Sequence, residues 1–188
     1  LQHSMIYDSG IRITICELEK CLDTGPIISS VPMEFLPQEI ASEALSRFTN
    51  RGVTLLLDAL KTRPESTSQH GEPSLAPKIS RAEAKIDFNE PADRIEKIIH
   101  ALNPEPTAWT NFAGQPLKLL RAKSLGPVDW RALDALGSPG VMWQDDNRVL
   151  VGCGGGTRLE LIELQPAGKK PMTALEFLRG QQGKVNLD

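Results

Sequence analysis

No apolar run in this 188-residue chain is long enough to cross a bilayer, and no basic start followed by an apolar centre marks a secretory leader. Cysteine is scarce. Cys16, Cys21 and Cys153 cannot all pair and their spacing fits no zinc motif, so a reduced, intracellular chain is the better reading. Aromatic residues make up only 5%, and none interleaves with the basic clusters. Strong charge of one sign is also missing. The net −3 divides into −4 over residues 1–77 (6 basic, 10 acidic) and +1 over residues 78–188 (15 basic, 14 acidic). A nucleic-acid partner would favour the second part, although +1 alone is a feeble electrostatic signal. The remaining composition, 40% hydrophobic and 24% charged, is that of an ordinary globular protein. The first residue is Leu rather than Met, so residues upstream are expected.

Ile11-Arg12-Ile13-Thr14-Ile15-Cys16 alternates and is β-branched, which predicts a strand. Pro26 to Met33 predicts a second. Ile40, Ala44, Leu45 and Phe48 then fall on one helical face, Gly52 breaks the run, and Val53, Leu56, Leu57 and Leu60 supply another helix. Lys61 to Pro77 has no period and is rich in Pro, Ser, Thr, Gly and charge, as a linker or exposed loop would be. Beyond it, Ile95, Ile98, Ile99 and Leu102 form the stripe of a helix over Pro91–Asn103. Five short strands follow at Ala108–Phe112, Pro116–Ala122, Gly140–Gln144, Arg148–Gly152 and Arg158–Leu164, with hairpin chemistry at Asp145-Asp146-Asn147 and Gly154-Gly155-Gly156. Thr173–Arg179 reads as a terminal helix with Gly180 past its end. This pattern predicts a small OB-like Greek-key barrel with flanking helices, preceded by an α/β remnant.

Leu22-Asp23-Thr24-Gly25-Pro26-Ile27-Ile28 sets one carboxylate on a tight loop straight after an apolar strand. Open α/β sheets bind ligands at the carboxyl ends of their strands, which makes Asp23 a catalytic candidate. The plainer reading is a turn former whose side chain caps nearby N–H groups. Cys16 and Cys21 flank this loop, where packing is the plain role and redox or metal chemistry the functional one. Gly152-Cys153-Gly154-Gly155-Gly156-Thr157 lacks the Lys of a phosphate loop and lies between two strands, so a hairpin turn is the better reading. His3, His70 and His100 are scattered; His70 lies in the linker and His100 off the apolar stripe, so both are expected at the surface. Lys118, Arg121, Lys123, Lys169 and Lys170 are a solvated face by default and a phosphate-backbone contact on the functional reading.

Several segments occur in a fixed order: the loop at 22–28, Ala76-Pro77-Lys78-Ile79, Ala84-Lys85-Ile86-Asp87-Phe88, Ala101-Leu102-Asn103-Pro104, Ala108-Trp109-Thr110 and Gly114-Gln115-Pro116-Leu117-Lys118-Leu119. Leu164-Gln165-Pro166-Ala167-Gly168-Lys169-Lys170-Pro171-Met172 and Phe177-Leu178-Arg179-Gly180 complete the series. In this order the chain resembles the methionyl-tRNA formyltransferase family over essentially its whole length, from the middle of the catalytic domain onward. The resemblance implies that residues 1–63 finish a Rossmann-like formyltransferase domain, 64–77 link, and 78–188 form the OB-like domain that supports tRNA.

That family moves a formyl group from 10-formyltetrahydrofolate to the α-amino group of methionine on initiator tRNA. By resemblance Asp23 is the aspartate that shares catalysis with an Asn and a His, and Leu22, Thr24 and Gly25 line the folate pocket. Lys118, Arg121, Lys123, Lys169 and Lys170 would touch tRNA. The implied protein is a monomer without metal or membrane attachment, in the bacterial cytoplasm or, in a eukaryote, an organelle. The Asn and His should precede an SLLP-type motif that has no counterpart here, so transfer by this chain is expected to be incomplete. Cys21 stands where Gly is common, and Ile11-Arg12 replaces a usual Thr-Gly. The rival readings are another 10-formyltetrahydrofolate-dependent formyltransferase and a non-catalytic tRNA-binding fragment.

Overall fold

A computed structural model describes residues 1–188 except 22, 73, 127–137 and 182–184. The chain opens with α1 (Gln2–Tyr7), too short to leave a periodic signal, which ends at Asp8 with φ 50°. The β-branched run forms β1 (Ile11–Cys16), which pairs antiparallel with β2 (Ile27–Met33), Ile13 opposite Val31.

A single helix, α2 (Ala41–Thr62), follows where two were expected. At its start the Glu43 carboxylate accepts the Ile40 N–H at 3.1 Å. An interior glycine costs about 1 kcal/mol relative to Ala, too little to break a helix of 22 residues that packs on a sheet. Gly52 lies over β1, where a Cβ would stand 3.5 Å from Ile13 Cγ2. The first predicted face is buried at Ile40, Ala44 and Phe48 but not at Leu45. The second is open: Val53, Leu56, Leu57 and Leu60 are 42–63% exposed.

The linker is exposed at its described residues, yet it is not free. Thr67 and Ile27 exchange backbone hydrogen bonds of 2.7 and 2.8 Å, tying it to β2.

Beyond the linker come α3 (Ala92–Ala101), β3 (Trp109–Phe112), β4 (Gln115–Leu125), β5 (Val141–Asp145), β6 (Arg148–Gly152), β7 (Arg158–Pro166), β8 (Met172–Thr173), α4 (Ala174–Arg179) and β9 (Val185–Asn186). The five expected strands are present. β8 and β9 span two residues each and leave no pattern to read. The strands pair antiparallel in the order β3-β4-β7-β6-β5-β9, with β8 on β7. Asn111 of β3 and Asp188, just past β9, exchange backbone hydrogen bonds of 3.0 and 3.1 Å. The sheet thereby curls into a nearly closed barrel, which satisfies edges that would otherwise be open to pairing.

Leu117, Leu119, Leu159, Leu161, Val149 and Phe177 fill the barrel, covered by Ile95 and Ile99 of α3. Gly154 is needed where it stands: a Cβ there would lie 1.7 Å from the Asn89 carbonyl oxygen. A second apolar cluster joins the two halves of the chain, Met5, Ile6 and Ala41 packing with Ala84, Ala101 and Leu102.

Candidate active-site loop and basic surface

Ile27 and Ile28 begin β2, and residues 23–26 lie in the connection of the antiparallel β1–β2 hairpin. Its neck is closed by Glu17 N–H donating to the Pro26 carbonyl at 3.0 Å. Gly25 is buried in that neck, and a Cβ on it would lie 1.9 Å from the Glu17 carbonyl oxygen, so the glycine is a steric requirement of the loop. Asp23 is exposed at φ 60°, a conformation Asp tolerates better than most residues. The Thr24 hydroxyl lies 3.2 Å from both Glu19 Oε2 and the Cys21 carbonyl, so it braces the loop from inside. Leu22 lies outside the described residues.

Gln69 is the residue that sequence reasoning missed. Its side-chain amide nitrogen donates to the Asp23 carbonyl at 3.0 Å and to the Gly25 carbonyl at 2.7 Å, holding both ends of the tight turn from the linker. A polar residue in an aperiodic stretch carries no local signal of such a contact. Arg12, which stands where a small residue is usual, points to solvent and donates to Ser30 Oγ at 2.9 Å.

Other candidates resolve on their surroundings. Cys21 is exposed rather than packed, and Cys16 is half-buried. Cys153 is buried and its thiol is pushed up to about 12 by that burial, which removes it as a nucleophile at neutral pH. The glycine-rich segment is the β6–β7 hairpin turn, with Gly155 and Gly156 at φ 65° and 68°. Thr157 Oγ1 accepts the Ala92 N–H at 2.9 Å, so its hydroxyl serves the start of α3. Among the described residues no group of three or more His, Cys, Asp or Glu side chains is arranged to hold a metal ion. No helix there is long and apolar enough to cross a membrane.

His100 is not at the surface. It is 5% exposed at the seam between the two halves of the chain, with Nε2 unpartnered. Burial holds the imidazole below its ordinary value, opposed by Glu96 and by a backbone hydrogen bond with Ala122. The α3 stripe predicts solvent for this position, but Arg121 and Ala122 of β4 and Glu43 of α2 stand beside it.

Of the five predicted basic contacts, Lys118, Lys123, Lys169 and Lys170 are exposed, the last two in the β7–β8 turn. Arg121 differs. Its guanidinium donates to Glu43 of α2 and stands 3.9 Å from Glu163, so it ties the barrel to the N-terminal part. That donation also holds the Glu43 carboxyl below the usual carboxylate range.

Comparison with known proteins fits this geometry. A family model described as "Formyl transferase, C-terminal domain" matches residues 78–182, more than half of the chain. A methionyl-tRNA formyltransferase of Corynebacterium urealyticum is 38% identical over 93% of this chain and 54% of its own length. The chain spans about half the length of the curated relatives it matches. Among solved structures, HypX from Aquifex aeolicus in complex with tetrahydrofolic acid superposes with a TM-score of 0.69 at 18% identity, over 94% of this chain and 31% of that one. Methionyl-tRNA formyltransferase from Clostridium thermocellum does so with a TM-score of 0.56 at 18% identity, over 65% of this chain and 55% of that one. These structures share the fold. From residue 78 to residue 182 the match is continuous, and the chain belongs to the formyl transferase C-terminal domain family.

Proposed function

We propose that this chain is the C-terminal portion of an enzyme that transfers a formyl group from 10-formyltetrahydrofolate to the α-amino group of methionyl initiator tRNA. One observation carries the reading: a formyl transferase C-terminal domain at 78–182 stands in the same chain as an Asp-Thr-Gly-Pro loop whose Gly25 admits no side chain. The name carried by the relatives agrees, and a structural neighbour was solved with tetrahydrofolic acid.

On this reading residues 1–63 end a Rossmann-like catalytic domain, 64–77 are the linker, and 78–188 are an OB-like tRNA-supporting domain. The open leucine face of α2 and the two-stranded β1–β2 sheet favour an α/β unit that continues beyond these elements.

Formyl transfer needs the attacking amine to lose a proton, the tetrahedral oxyanion to be stabilised, and the folate nitrogen to leave with a proton. Asp23 supplies a carboxylate that orients and charge-tunes a histidine, while Leu22, Thr24 and Gly25 line the pterin pocket. No metal takes part. Lys118, Lys123, Lys169 and Lys170 meet tRNA phosphate. Arg121 contributes a smaller share because Glu43 already engages it. The protein works as a monomer in the bacterial cytoplasm, or in an organelle if eukaryotic.

A formyl-transfer assay with 10-formyltetrahydrofolate and methionyl initiator tRNA tests this. Salt-sensitive tRNA binding without turnover is expected for the chain alone. Turnover by the chain alone would overturn the partial active site, and absence of tRNA binding would overturn the role of the barrel.

A further inference from the structure

Trp109 opens β3 with its indole only partly covered. The ring is pinned along one edge, where Nε1–H donates to the Arg81 carbonyl at 2.7 Å. Two cations flank its face, the Arg81 guanidinium 5.8 Å and the Lys85 ammonium 5.9 Å from the ring centroid. Before it lies a cavity of about 240 Å³, walled by Arg81, Pro116, Lys118, Gln165 and the Pro166–Gly168 turn. No carboxylate is among its lining residues. The Gln165 side-chain amide nitrogen donates to the Lys169 carbonyl at 2.8 Å, which fixes the turn carrying Lys169 and Lys170 beside the opening.

Size and charge narrow the occupant. Pockets for whole small molecules run from roughly 300 Å³ upward, so this one suits a single unit of a longer ligand. A bare phosphate would have no use for an indole wall. A proline-rich peptide would meet the indole and Pro116, but it brings no negative charge to Arg81 and Lys118. A nucleotide brings both a π-face and a phosphate. Bases stack on aromatic rings and on guanidinium planes alike, and in RNA it is unpaired bases that are free to do so.

We infer that this cavity takes one unpaired nucleotide of an RNA chain, its base against Trp109 and Arg81 and its phosphate on Lys118. The inference rests on the RNA-binding part of the function proposed above and adds a site to it. It requires the RNA to present a single-stranded residue to the barrel, not only a paired stem.

The test uses the 188-residue chain and three probes: a short 5′-phosphorylated single-stranded oligoribonucleotide, a blunt RNA duplex and a proline-rich peptide. Affinity is read by fluorescence anisotropy over a salt series. Trp109→Ala should weaken single-strand binding about tenfold while leaving its salt slope and duplex binding unchanged. Trp109→Phe should restore most of the loss, and it keeps a ring in place should the Ala variant fold poorly. Lys118→Ala should lower the single-strand salt slope by about 0.7. Equal losses on duplex and single strand, no loss with Trp109→Ala, or binding of the peptide in place of RNA would each overturn the inference. Initiator tRNA refused while the oligonucleotide binds through Trp109 would sink only the formyl-transfer reading. Initiator tRNA bound with indifference to Trp109→Ala would sink only the pocket.

Discussion

Asn111 and Asp188 face each other across the seam of the barrel, each donating its N–H to the other's carbonyl, at 3.0 and 3.1 Å. The Thr110 hydroxyl adds a third bond, donating to the Asp188 carbonyl at 2.8 Å from a fully buried position. Thr110→Val keeps the shape and removes only that donor. It should cost about 1 kcal/mol and lower Tm by about 2–4 °C. Hydrogen exchange at Val185–Leu187 should accelerate in the same variant, and unchanged exchange there would show that the seam closes without the hydroxyl.

Asp23 holds a positive φ, which Asn adopts as readily as Asp. Asp23→Asn should therefore leave the loop folded and remove only the charge. In a protein carrying the complete active site, transfer should fall at least 100-fold with tRNA affinity almost unchanged. Steady-state kinetics beside tRNA binding separates the two effects, and unaltered turnover would return Asp23 to a turn former.

Gly25→Ala would push a methyl group into the Glu17 carbonyl. The hairpin neck must open, at a cost above about 1 kcal/mol. Limited proteolysis should then cut between Glu17 and Pro26 faster than in the unaltered chain.

His100 gives a pH dependence with a definite sign. Its folded value lies below its unfolded one because burial disfavours the charged ring. Between the two values the unfolded state binds more protons. The stabilisation is therefore full above about pH 6.5 and is lost as pH falls below that. Urea midpoints measured from pH 7.5 down to 5 should decline, and His100→Leu should flatten that decline. Carboxylates held low by arginine, Glu39 by Arg47 and Glu43 by Arg121, act only at more acidic pH, below the ordinary glutamate value of 4.5.

Arg121 and the lysine pair should part company in solution. The Arg121–Glu43 pair is half-exposed and worth about 0.2–1 kcal/mol. Arg121→Ala should lower Tm by a few degrees at most, with little change in the salt slope of tRNA binding. Replacing Lys169 and Lys170 together by Ala should lower that slope by up to about 2. Equal slopes for all variants would make the lysines a solvated face.

Legibility in the sequence followed the range of the forces involved. Alternation in Ile11–Cys16 and turn chemistry at Asp146 and Gly155 are local, and those elements stand where they were expected. Gly52 misled because a breaker is judged by local propensity, whereas α2 is held by packing on β1. His100 misled because its neighbours Arg121 and Ala122 of β4 and Glu43 of α2 are far away in the sequence. Within the candidate site, Asp23 and Gly25 were visible as a motif. Gln69 was not, because nothing in an aperiodic stretch announces a bond to a loop more than forty residues earlier.

The stitches at Thr67 and Gln69 bear on protein engineering. A chimera that joins this barrel to a different N-terminal part, or a spacer inserted to vary the distance between them, would naturally be cut in the middle of the exposed stretch over 64–77. Here a junction between residues 64 and 70 would tear away the support under Asp23 and Gly25. Moving it to residues 74–77 keeps the splint with the loop it braces.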